Sequence, residues 1–359
     1  MATYRISHET DYHYTVPVPH SQQLLHLQPR LLPWQRIVSH WLHITPPPSR
    51  EKLTTDFFGN PSTFLEFTQP HLRLSVSSET HIEVRPRQWP VFSQSPAWER
   101  VVEHCRYAGH AIDDGLLAAL VFRHESPFVR IKHVFSDYAA ECFTPERPLL
   151  EAANALMLKI NDEFTFDAEA TQIATPLLQV LEEKRGVCQD FAHLMIACLR
   201  ALGLPARYVS GYLLTQPPPG QERLIGADAS HAWVSLYCPS LSDDAARPVV
   251  MRQGMSQQQM AETQMAQTLM VQTQMPMQQM QQHMAQQSTQ SQSQRQGGAE
   301  ALIADAWIDF DPTNAVLPGE EHITLAWGRD FSDVSPLRGV ILGGGQPVLD
   351  VRVTVMPAD

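Results

Sequence analysis

Apolar and polar positions alternate along the first 90 residues. "TYRISHETDYHYTV" sets Tyr4, Ile6, His8, Thr10, Tyr12 and Tyr14 on one face, and "LRLSVSSETHIEV" repeats the device with Leu72, Leu74 and Val76, then Ile82 and Val84. A period of two predicts strands, and Gly59-Asn60-Pro61 reads as a turn between two apolar runs. Residues 1–90 are therefore expected to form a small all-β domain, an antiparallel sheet or sandwich, whose aromatic and histidine side chains serve packing. "RQWPVFSQSPAW" (87–98) is rich in proline and aromatics and reads as a linker.

The period then changes. Phe128, Ile131, Val134, Phe135 and Tyr138 stand at helical spacing, as do Leu149, Ala152, Ala153, Leu156 and Ile160. "TPLLQVLEEKRG" predicts a helix with Thr175 as N-cap and Pro176 in the first position. After "RGVC", Phe191, Leu194, Met195, Cys198, Leu199 and Leu202 fall on one apolar face, and Gly203 with Pro205 ends the element. His193 lies off that face and is expected to be partly exposed.

Three strands follow: "PARYVSGYLLT", "HAWVSLYC" and "AWIDFDPTN". The second sets Ala232, Val234 and Leu236 on one side and His231, Trp233, Ser235 and Tyr237 on the other. The third sets Ile308 and Phe310 against Trp307, Asp309 and Asp311. Between them, residues from about 245 to 300 are mostly Gln, Met, Ser, Thr and Ala, with Met at every fifth position from 255 to 280. A step of five keeps to one face of neither helix nor strand, so this reads as a low-complexity loop rather than a metal or partner tract. Residues 348–355 alternate again and predict a closing strand. Gly343-Gly344-Gly345 precedes no helix, so no phosphate loop is expected there.

Composition changes this picture little. The 359-residue chain is 43% hydrophobic and 18% charged, with a formal net charge of -12, which argues against nucleic acid or an anionic membrane as partner. No basic segment followed by an apolar run opens the sequence, and no apolar run is long enough to span a bilayer. Five dispersed cysteines without a CxxC pair predict neither disulfides nor a zinc centre, and no EF-hand-like loop calls for calcium. No cofactor is expected, and the expected compartment is the cytoplasm.

One cysteine stands apart. Cys188 follows Gly186-Val187 at a predicted helix start, where free N–H groups and the dipole favour a thiolate. His231 opens a strand on its polar side and Asp311 closes another. If those strands pair antiparallel with His231 opposite Asp311 and Trp233 opposite Asp309, then Asp311 is the acid placed to orient the imidazole. Nucleophile, base and orienting acid then converge. Tyr212, Asp228 and Trp233 flank these strands and are candidates to line a substrate cleft, or to pack or cap.

At these residues the sequence resembles the transglutaminase-like superfamily, in its bacterial branch, which joins an N-terminal β domain to a papain-like core. The resemblance is carried by "RGVCQDFAHLMIACLRALGLPARYVSGYL", "DASHAWVSLY" and "WIDFDPTNA", in that order, and by "YRISHETDYHY" and "HITLAWGRDFSDVSPLRGVILGGG" near the ends. It implies an α+β fold, helices packed on an antiparallel sheet, over residues 91–359. It implies Cys188 as nucleophile, His231 as base and Asp311 as orienting acid. It implies acyl transfer at an amide bond of a peptide or protein, with water (peptidase or amidase) or an amine (transamidase) as acceptor. A non-catalytic binding or assembly module that keeps the fold is the alternative. The long gap between His231 and Asp311 departs from the family's short loop, and the insert is expected to extrude from intact strands.

Overall fold

A computed structural model of the chain describes residues 1–106, 113–167, 175–214, 230–241 and 306–358. The N-terminal region is all strand: β1 (Ala2–Val18), β2 (His20–Leu25), β3 (Gln35–Thr45), β4 (Arg50–Thr55), β5 (Pro61–Phe67) and β6 (His71–Val84). The helices and two short strands come next: α1 (Trp98–His104), α2 (Asp114–Leu120), α3 (His133–Ala139), α4 (Leu149–Glu163), β7 (Thr165–Phe166), α5 (Leu177–Glu183), β8 (Arg185–Gly186) and α6 (Cys188–Ala201). The chain closes with β9 (Ala206–Leu213), β10 (Ser230–Tyr237), β11 (Trp307–Phe310), β12 (His322–Gly328), α7 (Phe331–Val334), β13 (Leu337–Leu342) and β14 (Val348–Pro357). No helix among the described residues is long and apolar enough to cross a membrane.

The alternating N-terminal segments form two antiparallel sheets, ordered β14-β1-β6-β3 and β13-β2-β5-β4. Tyr14, Val18, Leu25, Leu65, Phe67, Leu74 and Val76 form one apolar core there. The expected boundary near residue 90 grouped the tail with the catalytic core. Strand pairing places it otherwise: Ile6 faces Val355 on β14, and Leu24 faces Arg338 on β13. Period-two patterning marks a strand but not its partner, and the last strands return to complete the first.

The core is a four-stranded antiparallel sheet, β11-β10-β9-β12, with helices on it. The helix α6 is buried nearly throughout, including His193 and Arg200 on its polar side. His193 is thus an interior residue, because Phe128 stacks on its ring, Tyr208 of β9 packs against it and the Phe331 N–H of α7 donates to its Nε2. Arg200 tolerates this position by donating to the carbonyls of Ala206, His124 and Arg329 and to Ser126 Oγ. Leu202 caps the helix C-terminus and Gly203 takes φ +88°, as the sequence predicted.

Three local expectations shift. The helix expected from Phe128 spans only His133–Ala139, since Ser126 and Val129 close a turn on each other around Pro127. Ile131 and Val134 are consequently exposed. Helix α5 starts one residue late, with Pro176 rather than Thr175 in the capping position. The segment read as a linker is anchored: Arg87 lies between Trp34 and Trp89 and bonds Asp309 of the core at 2.7 Å. The two units share a further apolar contact in which Tyr4, Ile6, Ile82 and Val355 meet Tyr212, Ile323 and Leu325. The Gln/Met-rich segment and Asp228 lie outside the described residues.

Candidate active site

The site begins where β8 gives way to α6. Asp190, in the first turn, accepts a hydrogen bond from the Val187 N–H at 2.9 Å, so the helix start is tied back on itself. This fold-back needs Gly186: a Cβ there would lie 2.7 Å from Asp190 Oδ2. Cys188 is then the first helical residue, half-buried, with Sγ 4.0 Å from the carbonyl oxygen of Ser230. That carbonyl directly precedes His231, so thiol and imidazole are brought together by adjacent backbone.

His231 is buried, and its Nε2 lies 2.7 Å from Asp311 Oδ2. The strand register that does this differs from the expectation. Ser235, not Trp233, faces Asp309, and Val234 faces Phe310. The pairing is offset by two residues, so His231 reaches Asp311 diagonally, a distance that a long side chain spans on one sheet face. Asp311, not Asp309, is the carboxylate on His231, while Asp309 is engaged by Arg87 Nη1 at 2.7 Å and Trp233 Nε1 at 3.1 Å.

Asp311 is held on both oxygens. Oδ1 accepts from the backbone N–H groups of Thr313 and Asn314 at 3.0 and 3.2 Å. Oδ2 takes His231, Asn314 Nδ2 at 2.7 Å and His322 Nε2 at 3.1 Å. Asn161 of α4 donates to the Thr313 carbonyl at 2.7 Å and pins the loop. Burial would raise the Asp311 carboxyl, but these hydrogen bonds, His231 and His322 foremost, hold it well below the usual carboxylate range. Burial likewise disfavours a charged His231, yet hydrogen bonding to Asp311 and to Cys188 outweighs it and lifts the imidazole to about 10.

Two cleft candidates sit elsewhere. Tyr212 is buried and turns to the N-terminal unit, where its hydroxyl meets His8 Nδ1 at 2.9 Å. Trp233 is wholly buried behind the imidazole, its ring edge-on to His322. It packs over Gly211, where a Cβ would stand 2.4 Å from the indole and 2.1 Å from the Ile323 carbonyl. Both side chains are buried, Tyr212 against the N-terminal unit and Trp233 beside the two imidazoles. Sequence reasoning missed His322, Asn314 and Asn161. A polar side chain opening an otherwise apolar strand was the available signal for His322. Asn161, on α4, carried none. Among the described residues, His231, Asp311 and His322 place ligand-type atoms within 4.8 Å of one another. Hydrogen bonds account for that proximity.

Comparison with known proteins gives the family and the fold. Residues 4–83 match the bacterial transglutaminase-like N-terminal region, and residues 136–244 match the transglutaminase-like superfamily core. An uncharacterized protein of Mycobacterium tuberculosis (strain H37Rv) is 34% identical over 99% of this chain and 92% of its own length. One from Mycobacterium leprae is 25% identical over 98% of this chain and 97% of its own. A crystal structure described as "a Putative Cysteine Protease from Cytophaga hutchinsonii" shares the fold, with a TM-score of 0.63 at 17% identity, over all of this chain and 91% of the other.

Proposed function

The chain belongs to the transglutaminase-like superfamily, in the bacterial branch with its own N-terminal region, and from that premise we propose that it is a cysteine-dependent acyl-transfer enzyme acting on amide bonds of a peptide or protein. The observation that carries the reading is the 2.7 Å His231–Asp311 bond beside a cysteine at a helix start. In the first half-reaction the Cys188 thiolate attacks the amide carbonyl carbon. Its oxyanion is met by N–H groups of the helix start, among them that of Cys188. His231 gives its proton to the departing amine, the C–N bond breaks and a thioester remains. Water or a primary amine then attacks the thioester, His231 takes the proton of the attacking group, and Cys188 leaves as thiolate. Asp311 fixes the imidazole with Nε2 toward itself and leaves Nδ1 for these transfers. All five cysteines are free, and we place the enzyme in the cytoplasm, where they stay reduced. The acidic chain is not expected to bind nucleic acid.

The reading is tested with iodoacetamide across pH, using Cys188→Ala and His231→Ala as controls. Selective alkylation of Cys188 well below the pH of an ordinary thiol is expected; labelling no faster than at the other cysteines would remove the nucleophile. Amide substrates assayed with and without a primary amine then identify the acceptor.

A further inference from the structure

The edge strand of the core sheet is held by two side chains of the N-terminal unit, and the same strand carries the second imidazole on Asp311. Gln35, at the start of β3, accepts from the Thr324 N–H through Oε1 and donates to the Thr324 carbonyl through Nε2, both at 2.8 Å. Asn60 repeats this at Trp327, donating to its carbonyl at 2.8 Å and accepting from its N–H at 3.0 Å. Both amides are buried. An edge strand presents unpaired N–H and C=O groups, and here two side chains complete them as a neighbouring strand would. The clamps bracket the register shift between Thr324 and Ala326, the place where β12 is least held by β9. Asn60 is itself braced by Arg30 Nη1 and Asp56 Oδ2, each at 2.7 Å.

His322 opens that strand. Its Nδ1 accepts from the Gly319 N–H at 3.3 Å, so the proton of the neutral ring sits on Nε2, which faces Asp311 Oδ2. We propose that His322 is a positioning residue that holds Asp311 Oδ2 in line with His231, and that Gln35 and Asn60 make the N-terminal unit part of this support. The inference rests on the Cys-His-Asp reading above. Oδ2 serves two imidazoles, and only one of them reaches the thiol. The other ring is fixed by the Gly319 N–H and by β12, and β12 is fixed by a different unit of the protein. Among the described residues, the titratable groups facing His231 are Cys188 from α6, Asp311 from the end of β11 and His322 from β12.

The test is the pH profile of Cys188 alkylation by iodoacetate. The reagent's carboxylate is attracted by the imidazolium, so the rate falls on the alkaline side as His231 loses its proton. In His322→Ala that alkaline limb is expected to move to lower pH by about one unit, because the hydrogen bond that keeps the proton on His231 is loosened. Gln35→Met should move it the same way by less, and His322→Gln, which restores a donor, should bring it back toward the parent. An unmoved limb in folded His322→Ala overturns the proposal, as does an upward shift, which would mean that His322 only competes for the carboxylate's charge. If His322→Ala does not fold, Gln35→Met decides, a downward shift supporting the proposal and an unmoved limb overturning it. Absence of fast alkylation in the parent protein is a separate result: it removes the triad, and the positioning role with it, before any variant is read.

Discussion

Asp309 and Asp311 stand two residues apart on the same side of one strand, both buried, and their surroundings differ in kind. Asp309 faces a guanidinium, an indole N–H and Ser235. Asp311 faces two imidazoles, a side-chain amide and two backbone N–H groups. Arginine does not release its proton in this range, so the pair with Arg87 acts as a tie to the sheet. Imidazole does release its proton, so the second carboxylate governs where a proton rests. The same residue type on the same strand is a tie at one end and part of the proposed proton-handling site at the other, and the partner decides which.

The largest test of this contrast is Asp311→Asn. It keeps the shape and removes the charge, so His231 loses its orientation and its reason to hold a proton. A fall in turnover of about 10⁴-fold is expected, as for other triads and well beyond what the stability lost with the His231–Asp311 pair accounts for. Asp309→Asn should do the reverse. It leaves Arg87 charged and buried without compensation, at a cost of about 3–5 kcal/mol in stability, while the alkylation profile of the remaining folded protein stays as in the parent. Chemical denaturation and Cys188 labelling, measured on both variants, separate the two roles. Equal effects on both readouts would erase the distinction.

The contrast extends to buried histidines. Among the described residues, His193 and His8 have no carboxylate in hydrogen-bond contact, and burial pushes both down to about 4, whereas His231, with Asp311, is pushed up to about 10. For His193 and His8 the unfolded chain binds protons more readily than the folded one. Their contribution to stability is present above pH 6.5 and is lost as pH falls from there toward 4. His231 has the opposite sign: its contribution is present below pH 6.5 and is lost as pH rises through about 10. The melting temperature should therefore decline between pH 6.5 and 4, and His193→Gln, which keeps an acceptor for the Phe331 N–H, should make that decline shallower. A decline of unchanged steepness would place the acid sensitivity elsewhere.

These pairings mark what could be read in the sequence. The helix start at Cys188, the strands around His231 and Asp311 and the turn at Gly203 followed from local periodicity and capping, which act over a few residues. The alternation of Trp307, Asp309 and Asp311 put the acids on the correct face. The register did not follow, because a two-residue slip keeps every side chain on its face and pattern alone cannot distinguish the two pairings. The return of β13 and β14 to the N-terminal sheets, the burial of His193 and the support from Gln35, Asn60 and His322 all depend on contacts between distant segments. Nothing local to "HITLAWG" says that its first side chain will meet an aspartate.

A smaller effect is expected at Gly211, between the two ends of the face. Alanine there would set a Cβ 2.1 Å from the Ile323 carbonyl and 2.4 Å from the Trp233 ring. The strain of overpacking costs about 1–3 kcal/mol. Trp233 joins the two aspartate environments: its indole N–H is on Asp309 and its ring lies 6.1 Å from that of His231. Displacing it should lower the Cys188 alkylation rate by more than the loss of folded protein accounts for. If Gly211→Ala lowers stability alone, the indole is packing and not a link.

The smallest effect is expected at Tyr212. Its hydroxyl bonds His8 across the two units, and its ring packs with Ile6, Ile82 and Ile323. Tyr212→Phe keeps the ring and removes one buried hydrogen bond, so about 1 kcal/mol of stability should be lost. Tyr212 is paired in the sheet with Ser230, whose carbonyl meets the Cys188 thiol, yet its side chain points to the other unit. The alkylation profile should therefore match the parent, as befits a residue that ties the units together without touching the proton. A shifted alkaline limb in Tyr212→Phe would show that the apolar contact between the units, and not only the two amide clamps on β12, bears on where the His231 proton rests.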